Sequence, residues 1–227
     1  MKHKSKRYRE AKGRLNLDKI YSPKEAIELL KQFPQVKFNQ TMELCIHVAV
    51  DSKKADQQVR STVILPYGTG KKAVVVVFAT GDKASQARDS GADFVGSDDL
   101  AEKIKGGWSD FTTVVASPDM MRLIGPLGKI LGPRGLMPST KTGTVTQDVA
   151  KAVKDIKSGK IEFKVDKGNN IHTIFGKLSF SMDQLVDNFK SLMDSIVKSR
   201  PPSVKGNFIR SITMSTTMGP GIKLSIA

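Results

Sequence analysis

The sequence predicts two domains of unlike construction: an α+β domain assembled from both ends of the chain, and an α/β domain with a parallel sheet inserted between them. Three observations predict it. Positive charge is concentrated at the two ends, the end segments carry too few strands to make a sheet separately, and the middle alternates strands with helices. The chain has 227 residues and a net charge of +15, from 37 Lys+Arg against 22 Asp+Glu. Residues 1–67 hold 14 basic and 7 acidic residues and 160–227 hold 10 and 5, whereas 68–159 hold 13 and 10. A nearly balanced segment therefore interrupts a basic one.

The elements follow in order. "SPKE" at 22–25 is a capping box with proline at the first helical position, opening a helix to about Gln32. Met42 to Val50 then alternates, with Met42, Leu44, Ile46, Val48 and Val50 on one side and Glu43, Cys45, His47 and Ala49 on the other. That is the period of a half-buried strand. "LPYGTG" at 65–70 supplies the breakers for leaving the first domain.

In the middle, "KAVVVVFAT" is a continuous β-branched run, as in a strand covered on both faces. A helix over Asp82–Ser90, the short strand "ADFVG", a helix over Asp98–Lys105, the strand "FTTVVAS" and a helix over about Asp148–Lys157 follow. This order predicts a Rossmann-like parallel sheet. "IKSGK" at 156–160 carries the chain back, and two adjacent crossings make a hinge. The expected domains are 1–67 with 160–227, and 68–159.

The returning segment opens with "IEFKVDKGNNIHTIF", a hairpin around Gly168-Asn169. "SMDQ" at 181–184 starts a second capped helix, which ends before Pro201-Pro202. The last strand places Ile209, Ser211, Thr213, Ser215 and Thr217 on one face and Phe208, Ile212 and Met214 on the other, with Arg210 breaking the apolar side.

Several function classes lose support. The longest apolar run, Ala73–Ala79, is far short of a membrane span, and the basic start has no apolar segment of a secretory signal. A single cysteine, Cys45, gives neither an internal disulfide nor a cysteine zinc cluster, which fits the cytoplasm. "GTGKK" at 68–72 lacks the first glycine and the Ser/Thr of a phosphate loop, and "TGDKAS" lacks a dinucleotide fingerprint. His3, His47 and His172 are far apart, Asp98-Asp99 suits a helix start, and Trp108 is expected at the middle domain's edge. No catalytic constellation emerges, and no cofactor is expected.

The positive charge favours a polyanionic partner, most commonly nucleic acid. The hydroxyl row favours RNA over DNA, because short neutral groups that donate and accept hydrogen bonds match the 2′-hydroxyls and base edges of RNA's shallow minor groove. Met218 supplies an apolar contact and Gly219 a close backbone approach, while the basic N-terminal arm, Lys37, Lys164 and Lys167 supply sequence-independent attraction. The plainer account is that threonine favours strands and this face is wet. Residues 124–144, "IGPLGKILGPRGLMPSTKTGT", read as one irregular loop, either a solvated surface or a second RNA contact through Lys129, Arg134 and Lys141.

"TTMGP" at 216–220, "LGKILGPRGLMPS" at 127–139, "SGKIEFKVDK" at 158–167 and "DQQVRSTVILPYGTGK" at 56–71 together resemble the bacterial large-subunit ribosomal protein L-one family. The resemblance implies an RNA-binding domain from both chain ends and an inserted domain without a dinucleotide. It also implies the large-subunit rRNA of the mobile stalk as partner, beside exit-site tRNA, and repression of the protein's own operon mRNA. No membrane or DNA partner follows, and the protein is expected to be monomeric off the ribosome. By motif, the RNA-binding residues are Lys37, Phe38, Thr41, Lys164, Lys167, His172, Ser211, Thr213, Thr217, Met218 and Gly219. Lys164 stands where many members carry arginine, giving a point charge in place of a bidentate fork.

Overall fold

The structure is a computed structural model and describes residues 5–16, 18–51 and 54–225. His3 and the first residues of the basic start lie outside them. Residues up to Gly70 and from Ile161 onward form one unit, and Lys71–Lys160 form a second. The outgoing chain gives helices α1 (Lys6–Gly13) and α2 (Pro23–Gln32) and strands β1 (Thr41–Val48) and β2 (Arg60–Ile64). The second unit contains β3 (Val75–Phe78), α3 (Asp82–Asp89), β4 (Phe94–Gly96), α4 (Asp98–Lys105) and β5 (Thr113–Ala116). It continues through α5 (Met121–Ile124), α6 (Gly128–Leu131) and α7 (Val149–Lys157). The returning chain gives β6 (Lys160–Lys164), β7 (Asn170–Lys177), α8 (Met182–Lys198), β8 (Ile209–Thr216) and β9 (Ile222–Leu224).

Both capping boxes form. The Ser22 side chain accepts from the Glu25 amide while Glu25 accepts from the Ser22 amide, and Ser181 and Gln184 repeat the arrangement at α8. The first unit's main sheet runs β7-β1-β8-β9, with every neighbour antiparallel. Met42, Leu44, Ile46 and Val48 turn to one face and are buried in the same core as Ile27 and Leu30 of α2 and Leu185, Phe189, Leu192 and Ile196 of α8. Each such side chain contributes about 1.5–3 kcal/mol on burial. Glu43, Cys45 and His47, on the alternate positions, stay half-exposed.

In the second unit the order is β4-β3-β5, all parallel. Val75 to Phe78 are 0% exposed, which explains the unbroken apolar run of this central strand. Val76 and Phe78 face a core with Leu100 and Ile104 of α4, whereas Val75 and Val77 face Ala87 of α3 and Val153 of α7. Trp108 packs edge-on against Phe94 with ring centroids 4.8 Å apart.

Three expectations are corrected. Residues 124–144 are not one irregular loop: α5, a 3-10 turn at Gly125–Leu127 and α6 run consecutively, and another 3-10 turn covers Thr140–Thr142. Ile124, Leu127 and Leu131 recur at helical spacing and are buried, and Gly125 and Gly128 take right-handed helical dihedrals that glycine permits as readily as any other. The hairpin turn around Gly168-Asn169 forms, closed by the Asp166–Asn170 backbone bond and the antiparallel Val165–Ile171 bridge, but its strands then part, because β6 pairs with β2 and β7 with β1. The strand over "RSTVI" that takes β6 away carries no strict alternation.

In β8, Ile209 does not share the hydroxyl face. The register shifts between His47 and Val48, pairing Val48 with Ile209 and His47 with Ser211, so Arg210 is an extra residue. This bulge lets Phe208 and Ile209 both be buried. The basic N-terminal arm is helical over most of its described part. Ser5 caps α1, and Ala11 of that helix enters the core.

Candidate nucleic-acid interface

Strand pairing sets the candidate residues in rows across the face of the sheet opposite the core shared with α2 and α8. His172, Cys45, Thr213 and Lys223 form one row; Asn170, His47 and Ser211 form the next; Ile174, Glu43 and Ser215 lie on the other side. No hydrogen bond among the described residues occupies the hydroxyls of Ser211, Thr213 and Ser215. Three short donor-acceptor groups on a central strand are thus open to an outside partner. Glu43 makes this face less uniformly neutral than the hydroxyl row implies. Burial first, and Asp166 second, push the Cys45 thiol above its usual range, which disfavours the thiolate.

At the end of the sheet where β1 begins and β8 ends, side chains tie two segments together. The Thr217 hydroxyl accepts the Thr41 amide at 3.0 Å, and the Lys177 ammonium donates to the Thr41 hydroxyl at 2.9 Å. Gln40, 3% exposed, accepts the Met218 amide through its side-chain oxygen at 3.1 Å. Asn39 donates to the Ser179 hydroxyl at 2.8 Å. Above this lattice Phe38 and Met218 stand 53% and 49% exposed, with Lys37 exposed beside them.

Thr41 and Thr217 are therefore clamps, unlike the open hydroxyls of β8. Gly219 needs its hydrogen for an internal reason: a Cβ there would collide with the hydroxyl of Thr216, which is buried. A close approach by a ligand is not required to explain it.

The opposite end carries the other cations. Asp166 accepts the Gly168 and Asn170 amides at 2.8 Å each, turning the chain so that Asn169 takes φ 63°. The Asn170 amide bond is the largest influence on its carboxyl; desolvation opposes it, and with the Gly168 amide and the nearby His172 added the carboxyl is held below the ordinary carboxylate value. His172 Nε2 lies 3.5 Å from Asp166. Lys164 and Lys167 are exposed on either side of Asp166. Since this turn adjoins the Val48 end of β1, it lies about 25 Å along the strand from the Thr41 end. The candidates thus form a long strip with basic ends.

Lys129, Arg134 and Lys141 belong to the second unit and are all exposed. Lys129 sits on α6, Arg134 in the turn before Gly135, which takes φ 70°, and Lys141 in the Thr140–Thr142 turn. They decorate a packed helical edge. Sequence reasoning missed Arg7, Gln40 and Lys177, which make the lattice at the Thr41 end. Only Gln40 and Lys177, flanking strand ends, offered any signal; the partner of Arg7 is 211 residues away.

Among the described residues no group of three or more His, Cys, Asp or Glu can hold a metal ion, and no helix is long and apolar enough to cross a membrane. The open hydroxyls and projecting Phe38 and Met218 lie on the unit built from both chain ends, and the α/β unit is inserted in sequence between those ends. Residues 30–220 match the Ribosomal protein L1p/L10e family, to which the chain belongs. It is 54% identical over 221 residues to the large ribosomal subunit protein uL1 of Cutibacterium acnes, covering 97% of this chain and 95% of the relative. The uL1 protein of Thermobifida fusca is 55% identical over 219 residues, covering 96% and 93%. That of Lactobacillus acidophilus is 53% identical over 219 residues, covering 96% and 95%. The family is structural rather than enzymatic.

Proposed function

We propose that the first unit binds large-subunit ribosomal RNA through the open face of its sheet and the Thr41 end. The observation that carries this reading is the contrast among hydroxyls: Thr41 and Thr217 lock the platform, while Ser211, Thr213 and Ser215 are unoccupied beside Phe38 and Met218. Open hydroxyls suit 2′-hydroxyls and base edges, and the two apolar side chains suit a base or ribose face. Lys37 at one end and Lys164 and Lys167 at the other, spaced along the strip, suit phosphates on both flanks of a folded RNA. His172 contributes from β7.

The relatives' names put them in the large ribosomal subunit, so the protein's place is the cytoplasmic ribosome. From the family resemblance we extend the reading to the mobile stalk near the tRNA exit site, where the protein assists release of deacylated tRNA. A site on its own operon mRNA that mimics the ribosomal one makes it a translational repressor. Lys129, Arg134 and Lys141 supply a secondary contact from the second unit, and the protein is monomeric off the ribosome.

Competition decides the first step. A folded fragment of large-subunit rRNA should displace labelled RNA far better than duplex DNA of equal length, and Met218→Ala should narrow the gap. Equal competition by the two polymers overturns the reading.

A further inference from the structure

The geometry points to Arg7 as a positioning residue that makes α1 a clasp over the recognition end of the first unit. The Arg7 guanidinium donates through Nη2 to the Met218 carbonyl at 2.9 Å and through Nη1 to the Pro34 carbonyl at 3.5 Å. Those carbonyls belong to the two segments that present Met218 and Phe38. A second arginine fixes the helix from its other end: Arg14 donates to the Gln32 carbonyl at 3.1 Å and pairs with Glu10 at 2.6 Å. Ser5 caps the helix start, and Ala11, 2% exposed, anchors its inner side. The helix is thus tied to the end of α2, to the segment after it and to the turn after β8.

The chemistry of the fork matters. A planar guanidinium reaches two carbonyls at a fixed spacing, whereas an ammonium on a flexible stem does not hold that geometry. Arg7 uses its donors inside the protein, which distinguishes it from exposed Lys6, Arg9 and Lys12 on the same helix. Its effect is to keep the Met218 turn and the Phe38 segment in one arrangement before a partner arrives, removing an ordering cost from binding. This inference rests on the RNA-binding reading of the site.

The test compares Arg7→Lys, which keeps the charge, with Arg7→Leu. Both should weaken binding of the folded rRNA fragment about tenfold, the scale of ordering two side chains. The salt dependence should keep the wild-type slope, and the melting temperature should hold. In the free protein, hydrogen exchange at the Met218 and Gly219 amides should rise in both variants. Wild-type affinity in Arg7→Lys with a shallower salt slope in Arg7→Leu identifies a phosphate contact and overturns the clasp. Unchanged exchange in both variants also overturns it. Raised exchange with a wild-type protein that ignores the RNA leaves the clasp standing and removes the RNA reading instead.

Discussion

The Thr217 hydroxyl accepts the Thr41 amide at 3.0 Å and donates to the Thr41 carbonyl at 3.4 Å, joining residues 176 apart in the sequence. Thr217→Val keeps the shape and removes both bonds, leaving a part-buried amide unpaired. The expected loss is about 1–3 kcal/mol in denaturant unfolding. Thr217→Ser should restore most of it, and RNA affinity should follow stability across the pair.

Asn188 is 0% exposed and serves three backbone groups. Its oxygen accepts the Tyr67 amide at 3.1 Å, and its nitrogen donates to the Gly68 and Phe175 carbonyls at 3.0 and 2.8 Å. Asn188→Leu strands all three groups, so unfolding should shift by about 3 kcal/mol or more. Exchange at the Tyr67 amide should rise most.

Much of this framework was legible because it is local. Ser22 with Glu25 and Ser181 with Gln184 announce helix starts within four residues, and the run through Val75–Phe78 announces a doubly covered strand. Three features depend on partners far along the chain. The bulge at Arg210 exists because β1 and β8 slip past each other, so alternation read from Phe208 onward misplaces Ile209. The strand β2 is defined by β6, which arrives 100 residues later. Glycines and prolines in 124–144 mask the buried Ile124, Leu127 and Leu131 that drive that segment into helical turns. At the site, residue types gave the candidates but not their division of labour. Only the bonds distinguish clamping Thr41 and Thr217 from open Ser211, Thr213 and Ser215.

Gly219→Ala tests that division from another side. The added methyl meets the Thr216 hydroxyl, so the variant should lose about 1–3 kcal/mol through overpacking. Thr216→Ala in the same chain should return part of that loss, giving a coupling energy in a double-mutant cycle. If the two changes add without coupling, the internal explanation for Gly219 fails.

Asp166 predicts an acid-side effect with a definite sign. Its folded pKa lies below the ordinary value of about 3.9, so its contribution to stability is present above that value. The contribution is lost as pH falls through the lower folded value. The carboxyl titration followed by NMR should therefore show a depressed midpoint. Asp166→Asn should flatten the fall in stability below about pH 4.

Crosslinking in living cells, followed by sequencing of the attached RNA and mass spectrometry of the attached peptides, measures recognition itself. The account predicts reads concentrated at one site of large-subunit rRNA, with crosslinked peptides spanning residues 37–41 or 211–219. Reads spread evenly over cellular RNA, or crosslinks confined to α2 and α8 on the packed side of the sheet, contradict it.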